Sequence, residues 1–217
     1  MRDTPPAICF DMDGVLIMSE DHWHEIEREH ILPTVAPDDD IPLSAITGRD
    51  YSEVYPELDA EYDLVVSREE YEALFEEAGR EIYGERATLL PGAHDLLADL
   101  SAAGVPLALT TSAPWDWIEV IDDRFDILRH FDAAVSAQDV DGPGKPDPGI
   151  YERGAAELGV APGESWAVED STAGARAAVA AGMTTVGFEA DGDATDLSMT
   201  HHRAASADDL RALLLEG

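Results

Sequence analysis

The sequence predicts an α/β fold built on a parallel sheet, with a helical insertion near its start. Two observations carry that prediction. Short apolar runs that stop at small or acidic residues alternate with helix-like segments along most of the 217 residues, the pattern of a parallel sheet flanked by helices. One long acidic stretch, from about Leu16 to Arg86, breaks the alternation after the first run and reads mostly as helix.

In chain order, the strand-like runs are AICFDMD from Ala7, VPLALTT from Val105, DAAVS from Asp132, SWAVED from Ser165 and TTVGF from Thr184. Each is short enough to be a buried strand. The helix-like segments between them open on Pro91, Pro146 and Ser171 and close on Gly104, Gly159 and Gly182, so their ends carry helix start and stop residues. Inside the insertion, Ser67 to Tyr83 pairs a capping box, Ser67 with Glu70, with apolar residues at Tyr71, Leu74, Phe75, Ala78 and Ile82. Such an insertion suits a helical cap over a site. The polar stretch DGDATDLSMTHHR before the last helix reads as a surface loop, and no internal repeat is present.

A formal charge of -34, from 47 acidic against 13 basic residues, is spread along the chain rather than gathered in a tail. Self-repulsion on that scale opposes compaction at low salt. At molar ionic strength the Debye length falls to about 3 Å and the repulsion fades, so a salt-rich cytoplasm is the simplest setting. No basic patch exists to neutralise phosphates, which excludes nucleic acid as a partner. No run approaches the roughly 18 apolar residues of a membrane span, and the N-terminal residues lack the apolar region of a signal peptide, so a soluble cytoplasmic protein is expected. The single cysteine, Cys9, sits in an apolar run and reads as a buried thiol. With 45% hydrophobic residues the chain can bury one core, with room for a small accessory domain.

Four clusters carry chemistry. Strand alternation puts Asp11 and Asp13 on the same side of the backbone, and Gly14 lets the chain turn away after them. Beyond the carboxyl ends of parallel strands is where ligands bind in such folds. The run Leu107 to Ser112 ends in hydroxyls, Thr111 and Ser112 among them, suited to hydrogen-bonding a phosphoryl oxygen. Lys145 is the only lysine, all other basic residues being arginine, and it sits in a proline-bounded loop where an ammonium can neutralise a phosphate and a neighbouring carboxylate. Finally, Val168-Glu169-Asp170-Ser171 ends another strand in acids, with Asp170 a natural Mg²⁺ ligand and Ser171 a helix N-cap.

These four clusters, in this order and spacing, resemble the motifs of the haloacid dehalogenase superfamily, in its phosphatase and β-phosphoglucomutase-like branch. The resemblance covers nearly the whole chain. It implies a Rossmann-like core over residues 1–15 and 87–217 and a helical cap over residues 16–86. By residue it implies Asp11 as nucleophile, Asp13 as general acid and base, and Thr111, Ser112 and Lys145 against the phosphoryl oxygens. Mg²⁺ would be held by Asp11, Asp13 through its carbonyl, and Asp170, with Glu169 adjacent. Gly14, and Gly48 with Arg49 in the cap loop, would line the substrate or phosphate site. The partner would be a small phosphorylated metabolite.

Asp13 argues against dehalogenation, which needs no acid for a leaving alkoxide. In the mutase pattern an Asp and a His follow the first motif; here Met18 and Trp23 hold those places, and Arg49 directly after Gly48 is not where the mutase places its phosphate-binding arginine. The first reading is therefore a phosphatase for a small monoester such as a sugar phosphate or phosphoglycolate, the second a β-phosphoglucomutase-like isomerase, and the third a non-catalytic binding or regulatory module. His22 and His24 are candidate substrate contacts, although histidines on an acidic helix are more commonly surface residues. Trp115 and Trp117 suit either a pocket wall or packing under the cap.

Overall fold

Ile8–Phe10 forms the first strand, β1, and is apolar at every position because both of its faces are covered. The chain is described by a computed structural model over residues 5–46, 51–189 and 195–215. Four further strands come from the runs read in the sequence: β4 (Leu107–Thr111), β5 (Ala133–Ser136), β6 (Trp166–Glu169) and β7 (Thr184–Phe188). Short apolar strands can be filled from two sides only by crossover helices. The chain supplies α5 (Ala93–Ala102), α6 (Trp115–Phe125), α7 (Gly149–Glu157), α8 (Thr172–Ala180) and α9 (Ala207–Leu215). The result is an α/β Rossmann-like core.

A six-stranded parallel sheet has the order β5-β4-β1-β6-β7-β8, with β8 spanning His202–Ala204. β1 pairs on both sides, Ile8 with Leu107 and with Trp166. The chain leaves it first toward β4 and β5, and later returns to its other side for β6. That reversal opens a crevice at the carboxyl ends of β1, β4 and β6.

The two faces of the sheet differ in size. Ile8, Phe10, Leu107 and Leu109 pack into one large cluster with Leu96, Leu97, Ile118 and Leu210. On the other face Cys9, Ala108 and Ala167 are small, and they meet Tyr151, Ala155, Ala177 and Ala178 of α7 and α8. Small residues let α7 approach closely: a Cβ on Gly154 would lie 2.6 Å from Thr110 Cγ2 and 3.2 Å from Cys9 Sγ. Cys9 is fully buried there, and desolvation pushes its thiol up to about 12, so it is inert as a nucleophile.

Between β2 (Ile17–Met18) and β3 (Thr88–Leu89), which pair antiparallel, the chain makes α1 (Glu20–Ile26), a π-helical turn at Glu27–Ile31, α2 (Leu32–Val35), α3 (Tyr51–Glu61), α4 (Arg68–Glu81) and a second π-helical turn at Ile82–Arg86. The capping box of α4 is present: Ser67 Oγ accepts from the Glu70 N–H at 3.3 Å, and Glu70 Oε2 accepts from the Ser67 N–H at 2.8 Å. Tyr71, Phe75, Ala78 and Ile82 are buried as the periodicity predicts, and Leu74 is half-buried. Gly79 fits the same helix against the core, where a Cβ would lie 2.3 Å from Trp117 Cε2.

Two features were not read from the sequence. The β2–β3 pair is only two residues long on each side, too short to show a period. β8 falls in the stretch expected as a surface loop; residues 190–194 lie outside the described residues, but His202–Ala204 pairs parallel with β7, and the His202 ring stacks on Trp166 at 5.0 Å. Neighbouring backbone, rather than its own apolar pattern, makes that segment a strand.

The close approach at Gly154 generates a stability prediction. Gly154→Ala should lower the urea midpoint, because overpacking costs about 1–3 kcal/mol while the gain in helix propensity is at most about 1 kcal/mol.

Candidate active site

The carboxyl ends of β1, β4 and β6 bring three of the four sequence clusters to one edge, and the loop before α7 brings the fourth. The Asp11 N–H donates to the Val168 carbonyl at 3.0 Å, which ties the first carboxylate to the strand that ends in Glu169. Lys145 reaches between them. Its Nζ donates to Asp11 Oδ1 and to Glu169 Oε1, both at 2.6 Å, with Lys145 7% exposed, Asp11 6% and Glu169 0%. Burial alone would lower the Lys145 ammonium's pKa, but the two carboxylates outweigh it and hold the group charged. For Asp11, burial pushes the carboxyl up while Lys145 pulls it down and Glu169 adds to the rise.

Glu169 is fully engaged. Besides Lys145, its Oε1 accepts from the Tyr151 hydroxyl at 2.5 Å, and its Oε2 accepts from the Ser171 N–H at 3.3 Å and the Ser171 hydroxyl at 3.1 Å. Ser171 Oγ also accepts from the Gly174 N–H at 3.0 Å, so the residue is both N-cap of α8 and part of the site. A Cβ on Gly174 would lie 1.8 Å from Glu169 Oε1. Glycine there leaves the room in which the carboxylate sits.

Asp13 is held differently. Ser19 Oγ donates to its Oδ1 at 2.6 Å, and Tyr83 Oη donates to the same oxygen at 2.8 Å. Tyr83 in turn accepts from Trp23 Nε1 at 3.0 Å. Both donors take Oδ1, so Oδ2 is the oxygen left to a ligand. Burial raises the Asp13 carboxyl, opposed by the Ser19 and Tyr83 hydrogen bonds and by Lys145, the direction useful to a proton donor.

Thr111 and Ser112 both line the cavity. Thr111 Oγ1 accepts from the Ala113 N–H at 3.0 Å, and Ser136 Oγ donates to the Ala113 carbonyl at 2.7 Å, fixing the turn after β4. Gly14 has φ +70°, and a Cβ on it would lie 1.7 Å from Asp170 Oδ2, so this glycine serves the turn and the approach of Asp170 together. Gly48 and Arg49 lie outside the described residues.

Asp11, Glu169 and Asp170 each offer an oxygen, and these atoms lie within 4.8 Å of one another. Burial raises the Asp170 carboxyl, and Glu20, Asp11 and Glu169 raise it further, with Lys145 as the opposing charge. One ammonium among several carboxylates leaves an excess of buried negative charge, and an all-oxygen donor set suits a hard cation. The residues fit Mg²⁺.

The helical insertion closes the cavity from the other side. Trp23 and Tyr51 both stack on Phe75 and both pack on Trp117 of the core, with Trp23–Trp117 centroids 5.2 Å apart and Tyr51–Trp117 stacked at 5.6 Å. Trp117 thus walls the pocket and packs under the insertion at once, whereas Trp115 Nε1 donates to Asp139, away from the cavity. Of the two candidate histidines, His24 lines the cavity, whereas His22 meets Arg86 at 3.2 Å. Sequence reasoning missed Ser19, Tyr83, Tyr151 and Glu27. Only Glu27 left a trace there, at the helical spacing from Glu20 and His24.

A model of haloacid dehalogenase-like hydrolases matches residues 5–182. The validoxylamine A 7'-phosphate phosphatase of Streptomyces hygroscopicus subsp. limoneus is 33% identical over 199 residues, 87% of this chain and 88% of that protein. Hexitol phosphatase B of Escherichia coli K12 is 31% identical over 83% of this chain and 82% of its own. In structure, a CbbY protein of Rhodobacter sphaeroides in complex with phosphate superposes with a TM-score of 0.77 at 24% identity, covering 95% of this chain and 96% of that one, a likeness of fold.

Two predictions follow from the geometry. Lys145→Met leaves Asp11 and Glu169 buried without their counter-charge, and should cost about 3–5 kcal/mol in urea unfolding at neutral pH, with a smaller loss at low pH where the carboxyls protonate. Burial, aided by Glu20, lifts the Glu27 carboxyl from its ordinary 4.5 up to about 8. A raised acid binds its proton more tightly when folded, so its stabilising contribution is present below pH 4.5 and is lost as pH rises toward 8. The stability of Glu27→Gln relative to the unsubstituted protein should therefore climb across that window in urea titrations.

Proposed function

The chain belongs to the haloacid dehalogenase-like hydrolases, and from that premise we propose a Mg²⁺-dependent phosphatase that hydrolyses a small phosphate monoester, of sugar phosphate or phosphoglycolate type, through an aspartyl-phosphate. The observation that carries this is the division of two carboxyls at one cavity: Asp11 ion-paired to Lys145, and Asp13 held through a single oxygen by Ser19 and Tyr83. Burial raises both carboxyls, and the direct Lys145 ion pair favours the charged form of Asp11 while Asp13 has only neutral hydrogen-bond donors against it. Relatives that act as phosphatases on phosphorylated carbohydrates and polyols support the same reading.

Asp11 attacks phosphorus with the oxygen that Lys145 leaves free, and the bond from phosphorus to the alcohol oxygen breaks. Asp13 delivers its proton to that departing oxygen. Water then enters on the aspartyl-phosphate; Asp13 takes its proton, and the bond between Asp11 and phosphorus breaks to release inorganic phosphate. Thr111, the Ser112 N–H and Lys145 lie against the phosphoryl oxygens and stabilise the charge that gathers there. Mg²⁺, held by Asp11, Asp170 and the Asp13 carbonyl, would supply charge neutralisation at the same oxygens. Glu169 stands beside that cation site and keeps Lys145 aimed. Residues 16–86 act as the cap that shields these steps from bulk water. The acidic composition supports a salt-rich cytoplasmic setting, where screening removes most of the self-repulsion.

In high salt with Mg²⁺, the protein should release phosphate from p-nitrophenyl phosphate and from hexose phosphates, and EDTA should stop it. Asp11→Asn should lower kcat by at least about a thousandfold while leaving the circular dichroism spectrum unchanged. No phosphate from a broad panel of esters, or an Asp11→Asn protein of full activity, would overturn the assignment.

A further inference from the structure

Helix α1 and the first residue of the π-helical turn that continues it turn one stripe of side chains toward the cavity. Glu20, Trp23, His24 and Glu27 all line it, at the i, i+3, i+4 and i+7 positions of a single helical face. Glu20 and His24 face each other across one turn, 3.6 Å apart. Glu27 has no such arrangement. It is 6% exposed, and its Oε2 has no hydrogen-bond partner among the described residues. A buried polar atom left unpaired is costly, and a native structure that keeps one on a cavity wall has a reason for it.

Position suggests what the partner is. Glu20 is near enough to Asp170 to raise its carboxyl, so that end of α1 lies over the proposed phosphate site. Seven residues further on, Glu27 is about 10 Å away along the helix axis. A leaving group that satisfied it would have to extend from phosphorus toward that end of the helical stripe.

The electrostatics decide the chemistry of that group. Glu20, Glu27, Asp13 and Asp170 line the same cavity, and among the described lining residues the only basic side chains are Lys145 and His24. Lys145 is committed to Asp11 and Glu169, and His24 faces Glu20. Among the described lining residues, then, no cation is left free for a second carboxylate or phosphate on the substrate; Arg49 lies outside them. Nor is an ammonium favoured, because the Glu27 carboxyl, pushed up to about 8, is mostly protonated at neutral pH. A protonated carboxyl both donates and accepts, as a hydroxyl does.

We propose that Glu27 is a specificity-determining residue that hydrogen-bonds a hydroxyl at the end of the substrate remote from phosphorus, and so selects polyhydroxylated monophosphates of hexose or hexitol length. This rests on the phosphatase reading and narrows it away from phosphoglycolate, whose carboxylate lies beside the phosphate.

The test compares a hexitol 6-phosphate with glycerol phosphate, whose leaving group is half as long. Glu27→Met should lower the ratio of kcat/KM, hexitol ester over glycerol ester, by about tenfold or more, since a buried polar contact is lost. Glu27→Gln should hold that ratio within about threefold, because an amide also donates and accepts. A ratio unchanged in the Met variant overturns the proposal. So does a Gln variant that falls as far as Met, because the partner would then need an ionised carboxylate. Calorimetry without turnover separates this from the phosphatase reading: in an Asp11→Asn background, adding Glu27→Met should weaken hexitol 6-phosphate binding about tenfold. Equal affinities overturn the role of Glu27, whereas a failure of the unsubstituted protein to release phosphate from any ester overturns only the phosphatase.

Discussion

Lys145 sits between Asp11 and Glu169 with almost no water, and most of the site is arranged around keeping that ammonium charged and aimed. An ammonium buried alone would lose its proton. Two carboxylates prevent this, and each is secured by a different strand: Asp11 by the end of β1, Glu169 by the end of β6. The parallel pairing of β1 with β6 is therefore what sets the spacing of the triad, and Tyr151 and Ser171 hold the far side of Glu169. A buried ion pair of this kind is weak evidence for stability and stronger evidence for a site that needs charge in a dry place.

Room for the triad is made by omission. Gly174 has no Cβ where Glu169 lies, and Gly14 has none where Asp170 lies. Gly154 of α7 and the alanines of α8 let both helices settle close to the small-residue face of the sheet. The helical insertion adds what the sheet cannot. It provides Ser19 and Tyr83 to hold Asp13, an aromatic wall shared with Trp117, and the carboxyls of Glu20 and Glu27. The Gly144 N–H also donates to the Glu53 carboxylate, so the loop that carries Lys145 is tied to α3 of the insertion. Asp11, Glu169 and Asp170 come from the ends of the sheet strands, and their setting comes from both layers.

Much of this was legible in the chain. The five core strands and the helices between them appear as apolar runs punctuated by Pro, Gly and Ser, because short-range propensity and period are local properties. Lys145 stood out because every other basic residue is arginine. For His22 and His24 the sequence leaves substrate contact and surface both open, because a histidine between charged residues resembles any solvated helix face, and only the folded insertion puts His24 on the cavity wall. Strand β8 and the β2–β3 pair were invisible for a related reason: segments of two or three residues carry no period, and their pairing depends on a neighbour far away in sequence.

By itself the sequence determined the α/β class, the insertion after the first strand, and the four clusters that contain Asp11, Asp13, Lys145 and Asp170, because each is written in contiguous residues. Only the tertiary structure decided how those clusters divide the work. That Lys145 is shared by Asp11 and Glu169, that Tyr83 holds Asp13 from 70 positions away, and that Glu27 is buried beside the cavity without a hydrogen-bond partner for its Oε2 are all contacts between distant segments. Hydrogen bonds and desolvation act through space, and no local pattern encodes which distant group will close the distance.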